Sequence, residues 1–120
     1  MFQIVFVLDD PSKLNDLLGA WGTAGVKGIT LIESTGVHRL RGRASAHDAP
    51  RMLGFSRLLR TDQVGHTTLF AVVEEMSVVE RVKEATEAVV GDLSRPNTGV
   101  LFAVPVAAAW GLHKQPPAEE

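Results

Sequence analysis

The chain has 120 residues, of which 45% are hydrophobic and 22% charged, and it contains no cysteine. This composition is typical of one globular domain, and the lack of cysteine excludes disulfides, thiolate catalysis and cysteine-ligated metal. The first apolar run, Phe2 to Leu8, is too short to span a membrane and carries neither a basic start nor a small-residue cleavage site. We therefore expect a cytoplasmic domain with no membrane insertion.

The net charge of −2 conceals an uneven distribution. Residues 36–65 contain six arginines against two aspartates, so this segment carries +4 and the rest of the chain −6. The arginines are Arg39, Arg41, Arg43, Arg51, Arg57 and Arg60. Because the planar guanidinium forms forked contacts with phosphate and carboxylate groups, the segment is expected to meet an acidic ligand or partner.

The first part of the chain predicts a strand, a helix and a second strand. Phe2–Leu8 follows the period-two pattern of a strand. Asp10-Pro11 is typical of a helix start, and apolar residues at i, i+3, i+4 and i+7 continue the helix to about Gly22 or Gly25. Val26–Glu33 is rich in β-formers and is predicted as the second strand.

The second part predicts a strand, a helix and a final strand. Thr67–Glu74 reads as the third strand. Ser77 and Glu80 fit the capping box that opens a helix, and Gly91 is a suitable end for it. Val100–Val106 is predicted as a fourth strand, whose proline favours the end of a strand or an edge position.

The resulting order, β-α-β-β-α-β, is that of the ferredoxin-like α+β fold, a four-stranded antiparallel sheet with two helices on one face. We predict one domain over residues 1–106, with a long loop at 36–65 and a partly flexible C-terminal extension at 107–120. The strands are apolar on both sides, whereas a water-exposed antiparallel face alternates with polar residues. The face without helices is therefore expected to pack against other subunits, the alternative being that the long loop fills it.

No catalytic or metal-binding constellation is recognisable in the sequence. The four histidines lack the spacing of a metal site, and Glu74-Glu75 fits a solvated strand end better than an acid/base pair. The arginines of residues 36–65 are interleaved with only one aromatic residue, Phe55, which disfavours nucleic-acid binding. We therefore expect a protein that is not an enzyme and holds no metal.

Two glycine-bearing turns are candidates for anion binding. Gly36 and Arg39 follow the second strand, and Asn97-Thr98-Gly99 precedes the fourth. Backbone amides in such turns form anion-binding nests, and Arg39 is placed to close one. The alternative is that both are simple turns and that Arg39 is solvated.

Residue types and spacing along the chain resemble the P-II signal-transduction family. The resemblance is carried by Pro11, Leu14, Gly25, Gly28, Thr30, Glu33, Gly36, Arg39 and the run Gly99-Val100-Leu101-Phe102, and it covers residues 1 to about 106. Residues 36–65 lie where that family has its flexible T-loop. The resemblance implies a homotrimer with its sheets turned inward, adenine nucleotides (ATP, ADP or AMP) bound between subunits, and a target protein contacted through the T-loop.

Carried over by position, the resemblance implies a role for each of several residues. Thr30 would approach the adenine, while the phosphates would lie near Gly36, Arg39, Asn97, Thr98 and Gly99. The target protein would meet Arg41, Arg43, Arg51, Arg57 and Arg60.

The chain also departs from the family pattern. Leu40 replaces the glutamine associated with magnesium and 2-oxoglutarate, and Val100 replaces the phosphate-binding lysine of the B-loop. The basic residues expected after the fourth strand are missing, and the chain has no tyrosine to be uridylylated. The alternative function is therefore a P-II-shaped interaction module that has lost nucleotide binding or binds another small anion, such as bicarbonate.

Overall fold

The computed structural model describes residues 1–35 and 66–113. Its elements are β1 (Phe2–Leu8), α1 (Leu14–Ala24), β2 (Thr30–Ser34), β3 (His66–Val73), α2 (Met76–Val90) and β4 (Val100–Pro105). The strands form one antiparallel sheet in the order β2-β3-β1-β4, and the two helices pack against one face of it. The predicted ferredoxin-like α+β fold is thus confirmed.

Strand β1 lies at the centre of the sheet, and its alternating residues divide the two faces. Ile4, Phe6 and Leu8 are buried under the helices. Phe6 is opposite Leu69 of β3 on one side and Leu101 of β4 on the other. The strict alternation of β1 therefore fixes which residues of its neighbours face the core.

The connection from β1 to α1 begins as predicted. The Asp10 carboxylate accepts hydrogen bonds from the Ser12 amide at 3.0 Å and from the Ser12 hydroxyl at 2.8 Å, which lower the pKa of Asp10. A short 3₁₀ turn, Pro11–Lys13, follows this cap and leads into α1. Proline at the first position suits the turn because it has no amide hydrogen to satisfy.

The end of α1 explains why β2 starts later than predicted. Gly25 adopts a positive φ of 113°, its amide donates to the Gly22 carbonyl, and the Val26 amide donates to the Trp21 carbonyl at 3.1 Å. This pair of bonds is a Schellman motif, in which the residue after the glycine packs back on the helix. Val26 is buried there, so the prediction of a strand from Val26 was wrong and β2 begins at Thr30.

Helix α2 starts two residues earlier than the predicted capping box requires. Glu75 occupies the N-cap position without a side-chain cap bond, and Ser77 lies inside the first turn. The Ser77 hydroxyl contacts the Glu75 carboxylate at 3.4 Å, so the capping-box prediction was wrong. The helix end at Gly91 is confirmed, where the Gly91 amide donates to the Glu87 carbonyl.

The two helices are joined by a buried hydrogen bond over the sheet. The Trp21 indole donates through Nε1 to the Thr86 hydroxyl oxygen at 2.8 Å, and Thr86 donates in turn to the Val82 carbonyl at 2.7 Å. All three side chains are fully buried. The bond satisfies the one polar atom of the largest core side chain and fixes α2 against α1.

Several predicted features lie outside the described residues. These are the loop at 36–65, with its six arginines, and residues 114–120 of the C-terminal extension. Within residues 1–35 and 66–113, no helix has the length and apolar character that crossing a membrane requires.

We expect Thr86→Val to lower the free energy of unfolding by about 1–3 kcal/mol, because it leaves the Trp21 Nε1 hydrogen buried without an acceptor. Urea denaturation measures the change. The exposed helical residue Thr23 supplies the control, since Thr23→Val is expected to alter stability by no more than about 0.5 kcal/mol. If Thr86→Val lowers the free energy of unfolding by the same amount in the native chain and in the Trp21→Phe variant, the Trp21–Thr86 hydrogen bond does not contribute to stability.

Candidate functional site

The sheet face opposite the helices is mainly apolar, with Gln3, Thr30 and Thr68 as polar members, and we call it the open face. The register places on it Val5 and Val7 of β1, Phe70 and Val72 of β3, Phe102 and Val104 of β4, and Ile32 of β2. Ile32, Phe102 and Val104 are 50%, 47% and 39% exposed. The helices of the described chain contact only the other face, so these apolar side chains lack cover from them.

The predicted turn before β4 is held by hydrogen bonds from its own residues. The Asp92 carboxylate accepts from the Ser94 amide at 2.9 Å and from the Ser94 hydroxyl at 2.8 Å, which lower the pKa of Asp92. The Glu87 carboxylate accepts from the Leu93 amide at 3.0 Å and thereby ties the turn to α2. These hydrogen bonds therefore fix the position of the turn at the end of the sheet.

The three predicted site residues of this turn have different surroundings. Asn97 is exposed and has a left-handed φ of 66°. Thr98 is buried, and its hydroxyl donates to the Arg95 carbonyl at 2.9 Å. Asn97 and Gly99 therefore supply the alternating backbone handedness typical of an anion nest, while the Thr98 hydroxyl hydrogen is already used within the turn.

Gly99 is required by packing as well as by conformation. Its φ is 106°, and a Cβ atom at this position would lie 2.5 Å from the Val7 carbonyl oxygen and 2.7 Å from the Phe6 ring. The glycine therefore lets the turn approach the end of β1 closely. This contact alone accounts for a glycine here, whatever the turn binds.

Thr30 and the turn lie on opposite edges of the sheet. Thr30 is opposite Phe70, which is opposite Val5, which is opposite Phe102. Three strand spacings of about 4.8 Å separate β2 from β4. One chain therefore does not bring Thr30 together with Asn97, Thr98 and Gly99, whereas Gly36, Arg39 and the other five predicted arginines lie outside the described residues.

Residues 36–65 connect the end of β2 to the start of β3, and we call these two strand ends the root of that segment. The Ser34 hydroxyl donates to the His66 carbonyl at 3.2 Å and lies 2.9 Å from the Thr68 hydroxyl. The His66 side chain is buried, with Nε2 3.2 Å from an Asp9 oxygen, although the angles of this approach do not satisfy a hydrogen bond. The Asp9 carboxylate is therefore a close polar neighbour of His66 but not a hydrogen-bond acceptor for its Nε2. The root lies at the same end of the sheet as the turn before β4.

A groove lies at the opposite end of the sheet, and sequence reasoning did not anticipate it. Its volume is about 710 Å³, and its walls come from the α1–β2 connection, the end of β3, the start of α2 and the C-terminal extension. Phe70 and Val72 contribute apolar surface, and Lys27 and Arg81 contribute positive charge. Of the predicted site residues that fall within 1–35 and 66–113, only Thr30 lines this groove.

The sequence did not indicate two further cations, one in the turn before β4 and one in the groove. Arg95 is an exposed cation within the turn before β4, where the B-loop lysine was found to be absent. Arg81 is positioned by a hydrogen bond from its Nε to the Ala24 carbonyl at 3.1 Å, across 57 residues of sequence. A distant contact of this kind has no local sequence signal.

Comparison with known proteins does not identify a family. No protein-family model matches the chain, and a search of curated proteins finds no significant match. In the described part of the chain, no group of three or more histidine, aspartate or glutamate residues is arranged to hold a metal ion.

We expect Gly99→Ala to destabilise the fold by at least about 2 kcal/mol, because a left-handed backbone with a side chain costs about 1–3 kcal/mol before the clash with Val7 is added. Thermal and urea unfolding measure the loss. Gly19→Ala is the control: this exposed helical glycine has no atom near its Cβ position, and alanine there is expected to stabilise by up to about 1 kcal/mol. A Gly99→Ala variant as stable as the native chain would show that the turn can move away from β1.

Proposed function

We propose that the protein is a cytoplasmic, P-II-like homotrimeric regulator that binds a small anionic effector between subunits and contacts a partner protein through the arginine-rich residues 36–65. The observation that carries this proposal is the apolar open face. A face that presents Ile32, Phe102 and Val104 to solvent costs free energy until it is covered. The inward-facing sheets of a trimer would cover it.

The positions of the predicted site residues also support binding between subunits. Thr30 and the turn before β4 are on opposite edges of one sheet, so a ligand that touches both would need two chains. The exposed Asn97, the left-handed Gly99 and the nearby cation Arg95 are suited to an anion. The proposed effector is an adenine nucleotide, ATP, ADP or AMP.

The second candidate is a P-II-shaped interaction module without nucleotide binding, or with another small anion as its ligand. One observation favours it: the Thr98 hydroxyl donates to the Arg95 carbonyl and so does not donate to a phosphate in this arrangement. Together with the missing B-loop lysine, this removes two phosphate contacts from the turn.

We expect the native chain to sediment as a trimer at micromolar concentration and Phe102→Glu to shift it towards the monomer, because the substitution would bury a carboxylate in an apolar interface. Analytical ultracentrifugation measures both. Met76→Glu is the matched control, since Met76 is also 47% exposed but lies at the start of α2. A monomeric native chain, or a trimer unaffected by Phe102→Glu, contradicts assembly through the open face.

We expect isothermal titration calorimetry to detect binding of at least one of ATP, ADP and AMP, and Arg39→Ala to weaken it at least tenfold through loss of about 1.5–3 kcal/mol from a charge-assisted contact. Arg57→Ala is the control within the same segment, because Arg57 is assigned to the partner protein and should leave nucleotide affinity unchanged. Undiminished affinity in Arg39→Ala rejects the assigned phosphate contact. Lack of binding by all three nucleotides favours the second candidate.

A further inference from the structure

We infer that the groove at the end of the sheet opposite residues 36–65 is a binding site for a small oxyanion, a carboxylate or a phosphate, that carries an apolar group. This inference goes beyond the proposed function, because the groove is formed within one chain and its two cations belong to none of the sites proposed above, although Thr30 and the open-face residues Phe70 and Val72 also line it.

The first support is the shape and chemistry of the groove. A concave volume of about 710 Å³ falls in the range of small-molecule sites. Ile29, Phe70, Val72 and Val78 line it with apolar side chains, and charged groups stand among them. This combination is typical of a site where an apolar surface binds the body of a ligand and a few polar groups orient it.

The second support is that the two cations of the groove form no ion pair with its carboxylates. The Glu74 carboxylate contacts His113, and the Glu75 carboxylate contacts the Ser77 hydroxyl. Lys27 and Arg81 form no ion pair with any residue of 1–35 or 66–113. Within the described residues neither cation is paired with the Glu74 or Glu75 carboxylate of the same groove, so both guanidinium and ammonium groups are available to an anionic ligand.

The third support is the way Arg81 is held. Its Nε donates to the Ala24 carbonyl at the end of α1, and Nη2 lies 3.4 Å from the position that a Gly25 side chain would occupy. One edge of the guanidinium is thus fixed, and its terminal nitrogens make no described hydrogen bond. A guanidinium fixed in this way is suited to a two-point contact with a carboxylate or phosphate, and less entropy is lost when the contact forms.

The C-terminal extension completes the groove. Gly111, Leu112 and His113 form one wall, and the His113–Glu74 contact holds that wall against the end of β3. The chain leaves β4 at Pro105 and reaches this wall within eight residues. One wall of the groove therefore comes from a segment outside the ferredoxin-like core.

Phenyl phosphate is a suitable probe, with phenol as its uncharged control, and binding is followed by amide chemical shifts of the ¹⁵N-labelled full chain. We expect phenyl phosphate to shift the amides of residues 27–30 and 72–75 more strongly than phenol does at the same concentration. AMP and benzoate, tested in parallel, separate phosphate from carboxylate preference.

Charge variants test the two cations separately. Lys27→Gln, at an exposed position without a described hydrogen bond or ion pair, and Arg81→Gln are each expected to weaken phenyl phosphate binding at least about tenfold. Lys83→Gln is the matched control, because this lysine lies on the same helix, pairs with Glu87 at 3.0 Å and does not line the groove. Lys27→Gln keeps the test decisive if Arg81→Gln unfolds the end of α1.

Each other outcome overturns the inference. Shifts confined to residues 94–99 would place the anion at the turn before β4, which supports the proposed function and rejects the groove. Equal weakening by Lys83→Gln would indicate nonspecific attraction, and unaltered binding in Lys27→Gln would exclude a role for its charge. Lack of shifts at the groove with every probe rejects the site whether or not a nucleotide binds elsewhere.

Discussion

Two helices can cover only one face of a four-stranded sheet, and this limit determines how the rest of the molecule is arranged. Trp21 fills the space between α1, α2 and the sheet, and its hydrogen bond to Thr86 holds the helices over Ile4, Phe6 and Leu8. Because strand residues alternate, every side chain placed under the helices leaves a neighbour on the open face. The apolar residues there do not contribute to the core of one chain. Their burial requires another surface, such as the sheet of a second subunit.

The parts of the fold that follow from local chemistry were predictable from the sequence. The alternation of β1 predicted its bounds, and Gly25 and Gly91 end the helices where their backbone geometry suits a glycine. Errors arose where two local signals competed for the same residues. Val26 belongs to a β-rich run, but the bond from its amide to Trp21 commits it to the helix end. Ser77 matches a capping box, but Glu75 already begins the helix.

The candidate sites were less predictable, because their geometry depends on contacts between distant parts of the chain. Turn chemistry in the sequence indicated Asn97 and Gly99, and the structure gives both a positive φ. The close approach of Gly99 to Val7 spans most of the chain and leaves no local pattern. The same holds for the groove, whose walls join the end of α1, the start of α2 and the C-terminal extension. Sequence periodicity describes single elements, whereas a groove is a property of how several elements meet.

A residue that the fold itself requires is weak evidence for a ligand. The candidate residues therefore differ in how strongly they indicate binding. Gly99 is explained by its contact with β1, and the Thr98 hydroxyl by its bond to Arg95, so neither distinguishes a binding turn from a simple one. Lys27 contacts no described partner, and Arg81 uses one of its three nitrogens on the Ala24 carbonyl. The exposed charge of Lys27 contributes little to folding, whereas Arg81 also joins α2 to the end of α1. The position of Lys27 beside an apolar groove is therefore better explained by a ligand than by stability, and for this reason Lys27→Gln discriminates more sharply than substitutions in the turn.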